Sequence, residues 1–283
     1  MGMGRYANLS RIEAMDPERD AWEILRLSTG YEFPWDYTRA LEFALFRTYC
    51  VPSISALLAR TGEFERRPQK RYDDTALLMG ELVDHGYDSP RGKEALRAVN
   101  RMHHRYDIDN DDMLYVLSTF VFDPMEWLEQ YGWRKPSEHE KQASYHFYRA
   151  VGARMGIRDV PEGYDAYLAF KRTYEAEHFK HADTNAEIGR YTLDLFCSWY
   201  PAPMRPAARK AVIALLDPAM LDAFGLAPAP GWLTTTAKAA LRGRARAVRR
   251  MPPRREPFLT NQPKNRTYPG YPTGYRPSDL GTS

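Results

Sequence analysis

The chain has 283 residues, of which 43% are hydrophobic and 13% aromatic, and its formal net charge is +3. This length and apolar content allow a substantial core and exclude a wholly disordered protein. Two cysteines, Cys50 and Cys197, are too few for a disulfide framework and indicate a reducing compartment. Because neither a secretory signal nor an apolar run of membrane-spanning length occurs, we expect a soluble, cytoplasmic protein.

The positive charge is concentrated near the C-terminus. Eight Lys and Arg residues lie between 238 and 255 with no acidic residue among them, so the rest of the chain is net acidic. A surface that binds nucleic acid is therefore not expected. Residues 232–255 are expected to form a basic amphipathic helix that is either simply solvated or in peripheral contact with an anionic membrane. The apolar membrane contacts would be Trp232, Leu233, Leu241 and Val248.

Helical periodicity and helix caps recur along the chain, and strand-like alternation is nearly absent. In chain order the pattern predicts helices over about 17–27, 37–50, 52–61, 73–85, 90–104, 113–122, 137–155, 164–180, 185–199, 205–224 and 232–251. Asp123-Pro124 is expected to interrupt the sixth helix, and Ser137 with Glu140 forms a capping box. The predicted fold class is all-α, with a single helical domain over 5–227 and a basic, Pro-rich and flexible C-terminal extension over 228–283.

Two adjacent histidines end the helix predicted over 90–104. The apolar residues of this helix recur with helical spacing, at Ala95, Val99, Met102 and Tyr106. His103 falls on this stripe and should point inward, whereas His104 falls on the charged side and should face water. An inward imidazole needs a partner, because a buried polar group left unpaired costs about 1–3 kcal/mol. A hydrogen-bonded core histidine, with Asn100 one turn before it, is the commoner case, and a ligand of haem iron or another metal is the alternative.

A second candidate group lies at the predicted start of helix 73–85. Arg71, Asp74 and Thr75 stand at positions i, i+3 and i+4 and therefore share one helical face. In the ordinary interpretation Asp73 or Asp74 caps the helix and Arg71 is solvated. In the functional interpretation a cation, a carboxylate and a hydroxyl meet at a pocket mouth, where they could hold a haem propionate or manage protons during oxygen chemistry.

Other cofactor sites are poorly supported by the sequence. Glu175 and His178 form a Glu-x-x-His pair, the unit that di-iron helical bundles use twice, but no second pair exists because Glu81 and His85 are four residues apart. A buried ion-pair or hydrogen-bonding role is therefore expected for Glu175 and His178. Neither cysteine has the glycine-rich loop that exposes a haem thiolate, and the nucleotide-binding and hydrolase motifs are absent.

Six segments in order resemble a known family. They are GYEFPWD (30–36), RYDDT (71–75), NRMHHRY (100–106), NDDMLY (110–115), GWR (132–134) and YEAEHF (174–179). Over roughly residues 20–200 this ordered set resembles the MpaB-type oxygenases, the family that also contains the bacterial latex clearing proteins, or rubber oxygenases. The resemblance implies an all-α fold with a globin-like core around haem b. It also implies an activity that uses O2 to cleave carbon–carbon double bonds in isoprenoid chains.

The resemblance further implies roles for individual residues. His103 would be the proximal ligand of the haem iron, and Arg71 and Thr75 would lie on the distal side. Asn100, one helical turn before His103, is expected from its spacing alone to share the site. At the position of Asp74 the rubber oxygenases carry a lysine that can act as a distal iron ligand. A carboxylate cannot take this role of the lysine. Asp74 is expected instead to accept or relay a proton, which burial would favour by raising its pKa.

We therefore expect a haem b-dependent oxygenase that acts with O2 on a hydrophobic, isoprenoid-type alkene. Two other functions stay open from the residues alone. One is a haem-binding sensor or carrier without oxygenase turnover. The other is a metal-free helical lipid-binding or interaction protein in which His103 belongs to the core.

Overall fold

The computed structural model describes residues 4–260, 271 and 273–281, and every regular element in them is helical. The all-α fold class is thereby confirmed. The α-helices of the described residues are α1 (Ala7–Glu13), α2 (Ala21–Leu27), α3 (Pro34–Thr48), α4 (Pro52–Thr61), α5 (Glu63–Arg66), α6 (Pro68–His85), α7 (Pro90–His103), α8 (Asn110–Tyr131), α9 (Glu138–Arg154), α10 (Tyr164–His178), α11 (Asp183–Ser198), α12 (Arg205–Ile213), α13 (Pro218–Phe224) and α14 (Gly231–Arg249). A π-helical turn follows α2 over Ser28–Glu32, and short 3-10 turns lie at Ala202–Met204 and Pro277–Asp279.

Helix α6 begins five residues earlier than the sequence predicts. Pro68 occupies its first position, where the missing N–H of proline costs nothing. As a result Arg71, Asp74 and Thr75 lie inside the helix, and the interpretation of Asp73 or Asp74 as its cap is wrong. The shared face of the three residues is unaffected, because their spacing stays helical.

Two further boundaries differ from prediction. Helix α8 is capped by Asp109, whose side chain accepts a hydrogen bond from the Asp111 N–H, and it continues through Pro124 to Tyr131. The helix survives Pro124 because burial along most of its length outweighs one lost backbone hydrogen bond. The helix predicted over 205–224 is two helices, since Asp217 caps a new one by accepting from the Met220 N–H at 2.9 Å.

Helix α8 is the central element of the core. It packs most extensively against α3 and also contacts α9, α10 and α14. Helix α9 approaches α8 closely at Gly152, because a Cβ there would lie 2.5 Å from Cδ2 of Leu117 and would displace that side chain. The capping box of Ser137 and Glu140 is present at the start of α9, as predicted.

Helix α14 packs onto the domain through its inward face. Its Arg244 donates to the buried carboxylate of Asp36 at 2.9 Å and lies 3.7 Å from the ring centroid of Trp35. Leu241 and Val248 pack against the main core, so the expectation that they face a membrane is wrong.

The described residues beyond α14 also contact the helical domain. The Phe258 N–H donates to the Gly30 carbonyl at 2.9 Å, and Leu280 is buried in the main core. The proposed domain boundary at residue 227 stays a prediction. In the described part of the chain no single helix is both long and apolar enough to cross a membrane; only α3 and α4 taken together, with a bend of 97° between them, meet that test by length and composition.

Candidate functional site

His103, the last residue of α7, lines a cavity of about 240 Å³. The cavity lies among α4, α6, α7, α8 and α9 and is named here the His103 cavity. Its walls are mainly apolar and include Ile54, Leu58, Leu78, Val116, Leu117 and Phe120. His103 is half-buried and His104 is exposed, so the orientations predicted from helical phase are confirmed. Tyr106, predicted to continue the apolar stripe, is 38% exposed because α7 ends at His103.

One nitrogen of the His103 imidazole is buried without a hydrogen-bond partner among the described residues. This atom is Nδ1, and neither a donor nor an acceptor lies within hydrogen-bonding distance and geometry of it there. Burial, with a smaller contribution from the nearby Arg71 and His104, lowers the pKa of His103 to about 4. The ring is therefore neutral at physiological pH, which is the form that binds a metal. A satisfied core histidine, the commoner expectation, would show a partner for this nitrogen.

Arg71 and Thr75 line the same cavity as His103. Arg71 Nη1 donates to Thr75 Oγ1, and the Thr75 hydroxyl in turn donates to the Arg71 carbonyl at 3.2 Å. The Arg71 guanidinium lies 5.6 Å from the ring centroid of Phe64. The structure thus brings together three of the predicted site residues, and it holds the cation and the hydroxyl in one hydrogen-bonded pair.

Asp74 also lines the His103 cavity, but its carboxylate is fully engaged. One oxygen accepts from Lys70 Nζ at 2.6 Å and the other from the Tyr271 hydroxyl at 2.6 Å. Lys70 also donates to the Gly281 carbonyl at 2.8 Å, and Gly281 itself lines the cavity. Asp74 therefore ties the C-terminal segment to α6 beside the site.

Asn100 has a different position from the one predicted. Its side-chain amide donates to the Arg154 carbonyl at 2.9 Å, and Asn100 does not line the His103 cavity. The structure therefore uses Asn100 to join α7 to the end of α9 and does not bring it to the other site residues.

A second cavity of about 580 Å³ adjoins the first and is named here the outer chamber. The two cavities share the lining residues Leu45, Thr75, Met79 and Phe120. One wall of the outer chamber comes from the C-terminal segment, through Arg254, Phe258 and Thr260. Sequence reasoning did not find this chamber, because its walls are distant in the chain and carry no motif.

Asp84 lines the outer chamber, and burial raises its pKa to about 6 from an ordinary value of 3.8. Because the folded state keeps this proton up to higher pH than the unfolded state, the free energy of unfolding should fall as pH rises from about 4 to 6. Asp84→Asn keeps an oxygen that can accept the Thr260 N–H, which donates to Asp84 at 3.0 Å. We expect this variant to abolish that fall and to be more stable than wild type at pH 7 by about 1–2 kcal/mol. Urea unfolding at pH 4 and pH 7 measures both effects, and a variant less stable at pH 7 would contradict them.

Of the Glu-x-x-His pair, Glu175 has the ion-pair role that the sequence indicates, whereas His178 is exposed and the buried role expected for it is wrong. Glu175 accepts from Arg47 Nη1 at 3.1 Å and from the Tyr115 hydroxyl at 3.1 Å, and it contacts Lys171 Nζ at 2.8 Å. His178 stacks on Tyr174 with ring centroids 4.1 Å apart. Within residues 4–260, 271 and 273–281, no three His, Cys, Asp or Glu side chains are arranged to hold a metal ion.

The cysteines do not contribute to either cavity. Cys50 and Cys197 are buried free thiols, and neither lines the His103 cavity or the outer chamber. Burial raises the pKa of both thiols, which disfavours the thiolate that a metal requires.

Residues 38–250 match the sequence model of a family described as "ER-bound oxygenase mpaB/B'/Rubber oxygenase, catalytic domain". The chain belongs to this family. The MpaB-type match includes His103, Arg71 and Thr75 and ends just after α14, so the outer-chamber residues from Arg254 onward lie outside it.

Named relatives agree with the family assignment. The chain is 29% identical over 234 residues to ER-bound oxygenase mpaB' of Penicillium brevicompactum, a match covering 76% of the chain and 55% of the relative. It is 30% identical over 229 residues to ER-bound oxygenase mpaB of the same fungus, covering 71% and 58%. Its identity to ER-bound oxygenase mpaB of Penicillium roqueforti (strain FM164) is 35% over 154 residues, covering 52% of each chain. The matched regions thus span between 52% and 58% of the length of these relatives.

Proposed function

We propose that this protein is a haem-dependent oxygenase that uses O2 on a hydrophobic, isoprenoid-type alkene. Its family and the names of its relatives support oxygenase chemistry. The observation that carries the haem assignment is the neutral His103 imidazole, whose Nδ1 atom is buried and has no hydrogen-bond partner among the described residues. A bond from a neutral imidazole nitrogen to a metal would satisfy this ring, because no described residue forms a hydrogen bond with Nδ1.

The residues present fit a haem group. His103 would hold the iron, and Arg71, the cation of the His103 cavity, would hold a propionate or lie on the distal side. Haem, when bound, supplies the activation of O2. The apolar walls from α4 and α8 would exclude water and accept an alkene.

Thr75 lies where the two cavities meet, since it lines both. Its hydroxyl is oriented by two hydrogen bonds to Arg71, one donated and one accepted. We propose that this pair orients the reacting region of the substrate at the junction. Asp74 is proposed as a positioning residue, because both carboxylate oxygens already accept hydrogen bonds from Lys70 and Tyr271.

Oxygen consumption tests the proposed turnover. Purified protein supplied with haem is expected to consume O2 with squalene, a polyprenyl alkene, and to form carbonyl products that a hydrazine reagent traps. Squalane, the saturated analogue, should give no consumption above the rate without substrate. Equal uptake with both compounds, or with neither, would refute oxidative cleavage of an alkene. Haem binding without uptake would favour the sensor or carrier function.

We also propose peripheral contact between α14 and an anionic membrane surface. Three relatives are named as ER-bound. Trp232 at the start of α14 is 70% exposed, and exposed arginines follow it at 242, 246 and 249. Because Leu241 and Val248 face the core, this contact should be mainly electrostatic. Sedimentation with phosphatidylcholine vesicles should show binding only when phosphatidylserine is added, and only at low salt. Equal binding to both vesicle types would contradict the proposal.

A further inference from the structure

The outer chamber is lined by apolar and aromatic side chains in its interior and has a solvent-exposed mouth. Its interior lining includes Leu41, Ala76, Met79, Val83, Phe120 and Tyr148. Three other lining residues are exposed to solvent and therefore mark the mouth. Trp35 is 39% exposed, Tyr200 is 40% exposed, and Arg254 is also exposed. The chamber therefore runs from a solvent-facing mouth to the junction at Thr75.

The cations of the chamber are only partly neutralised. Arg254 has no hydrogen-bond or ion-pair partner in the described parts of the chain. Arg39 pairs with Glu42 at 2.6 Å, but its Nε atom is buried and makes no hydrogen bond to any described residue. An arginine that lines an apolar chamber without a carboxylate partner favours an anion supplied from outside.

The two carboxylates of the chamber are already engaged. Glu42 accepts from the Tyr72 hydroxyl at 2.6 Å in addition to its pair with Arg39. Asp84 accepts the Thr260 N–H at 3.0 Å. Neither carboxylate pairs with Arg254, which leaves that charge available at the mouth.

The position of Arg254 is set by backbone contacts on its C-terminal side. The Phe258 N–H donates to the Gly30 carbonyl at 2.9 Å, and the Thr260 N–H donates to Asp84. These bonds hold the segment that carries Arg254 against α6 and the turn before α3. Arg254 also lies outside the region that matches the family, residues 38–250.

We propose that the outer chamber binds an amphiphile that has an apolar chain and an anionic head group. The chain lies in the apolar interior and reaches the junction at Thr75, and the head group, a carboxylate or a phosphate, binds Arg254 with Arg39 as a second contact. This inference rests on the proposed oxygenase function, because the apolar chain in the chamber would carry the alkene that the enzyme oxidises. Arg254 is then a specificity-determining residue of this chain.

Isothermal titration calorimetry under anaerobic conditions tests this inference without turnover. The purified full chain is titrated with farnesol, farnesoic acid and farnesyl monophosphate, which share one chain and differ in the head group. We expect one or both anions to bind about threefold to tenfold more tightly than farnesol, as a partly exposed charge pair allows. The acid and the phosphate distinguish the two head groups.

Arg254→Gln should abolish the preference for the anions and leave farnesol affinity unchanged. Arg255→Gln is the matched control, because Arg255 is an exposed neighbour that does not line the chamber. It should retain the wild-type preference. No preference in wild type, an undiminished preference in Arg254→Gln, or an equal loss in Arg255→Gln would each overturn the inference.

A second variant tests whether the chain occupies the chamber. Ala76→Phe fills interior space and should weaken all three ligands more than about tenfold, with far-ultraviolet circular dichroism unchanged. If it fails to fold, Ala76→Leu makes the same test with a smaller side chain. Unchanged affinities in a folded variant would overturn the location. The calorimetry does not measure O2 uptake, so its outcome is independent of the turnover test. If squalene is turned over but the calorimetry shows no head-group preference, this inference is refuted and the proposed function stands.

Discussion

Replacing His103 with alanine is expected to abolish haem binding. The variant removes an imidazole that lines the cavity and is neutral at physiological pH, because its pKa is lowered to about 4. Haem affinity should fall at least about a hundredfold, since loss of a group that only hydrogen-bonds to a metal ligand already costs about 10–100-fold. The intense haem absorption band of the reconstituted protein measures the loss. His103→Gly should regain the band when free imidazole is added, a rescue that a purely structural role of the histidine would not produce.

His104→Ala is the matched control for this experiment. His104 neighbours His103, but it is exposed, and its ring does not line the cavity. We therefore expect it to keep haem with wild-type affinity. Equal loss in the two alanine variants, or an unaltered band in His103→Ala, would contradict the ligand assignment.

Replacing Arg134 with methionine is expected to lower the free energy of unfolding by about 3–5 kcal/mol. Arg134 donates to Glu140 at 2.7 Å and to Glu32 at 3.2 Å, and its guanidinium lies 4.7 Å from the centroid of Phe33. The side chains of Glu32 and Glu140 are fully buried. Methionine has a similar volume but no charge, so both carboxylates would lose their shared cation inside the core.

Urea unfolding measures this loss against a surface control. Arg19 pairs with Asp20, but its side chain is 77% exposed. Arg19→Met should change the free energy of unfolding by no more than about 0.5 kcal/mol, as is usual for an exposed ion pair. If the two variants lost the same free energy, the buried network would not have the stabilising role assigned to Arg134.

Local periodicity was sufficient to predict part of the candidate site. The phase of α7 placed His103 inward and His104 outward, because helical spacing alone decides which face a residue occupies. The same spacing put Arg71 and Thr75 on one face, although α6 begins at Pro68 and not at Asp73. These features depend on residues within one or two helical turns.

Contacts between distant segments could not be predicted in this way. The motifs at 30–36 and 132–134 meet because Trp133 donates to the Glu32 carbonyl at 3.0 Å and Arg134 binds the Glu32 carboxylate. Asp74 is engaged by Tyr271, almost 200 residues later, and this contact bears on its expected proton role. The outer chamber likewise exists because the segment carrying Phe258 packs back across α6, a long-range contact that no local pattern records.

Titration of the purified wild-type protein with haem, followed by absorption, tests the haem assignment most directly. We predict a haem band that grows to saturation at one haem per chain, with a spectrum distinct from that of free haem. An absorbance that rises linearly through and beyond one equivalent, with the spectrum of free haem, would contradict it.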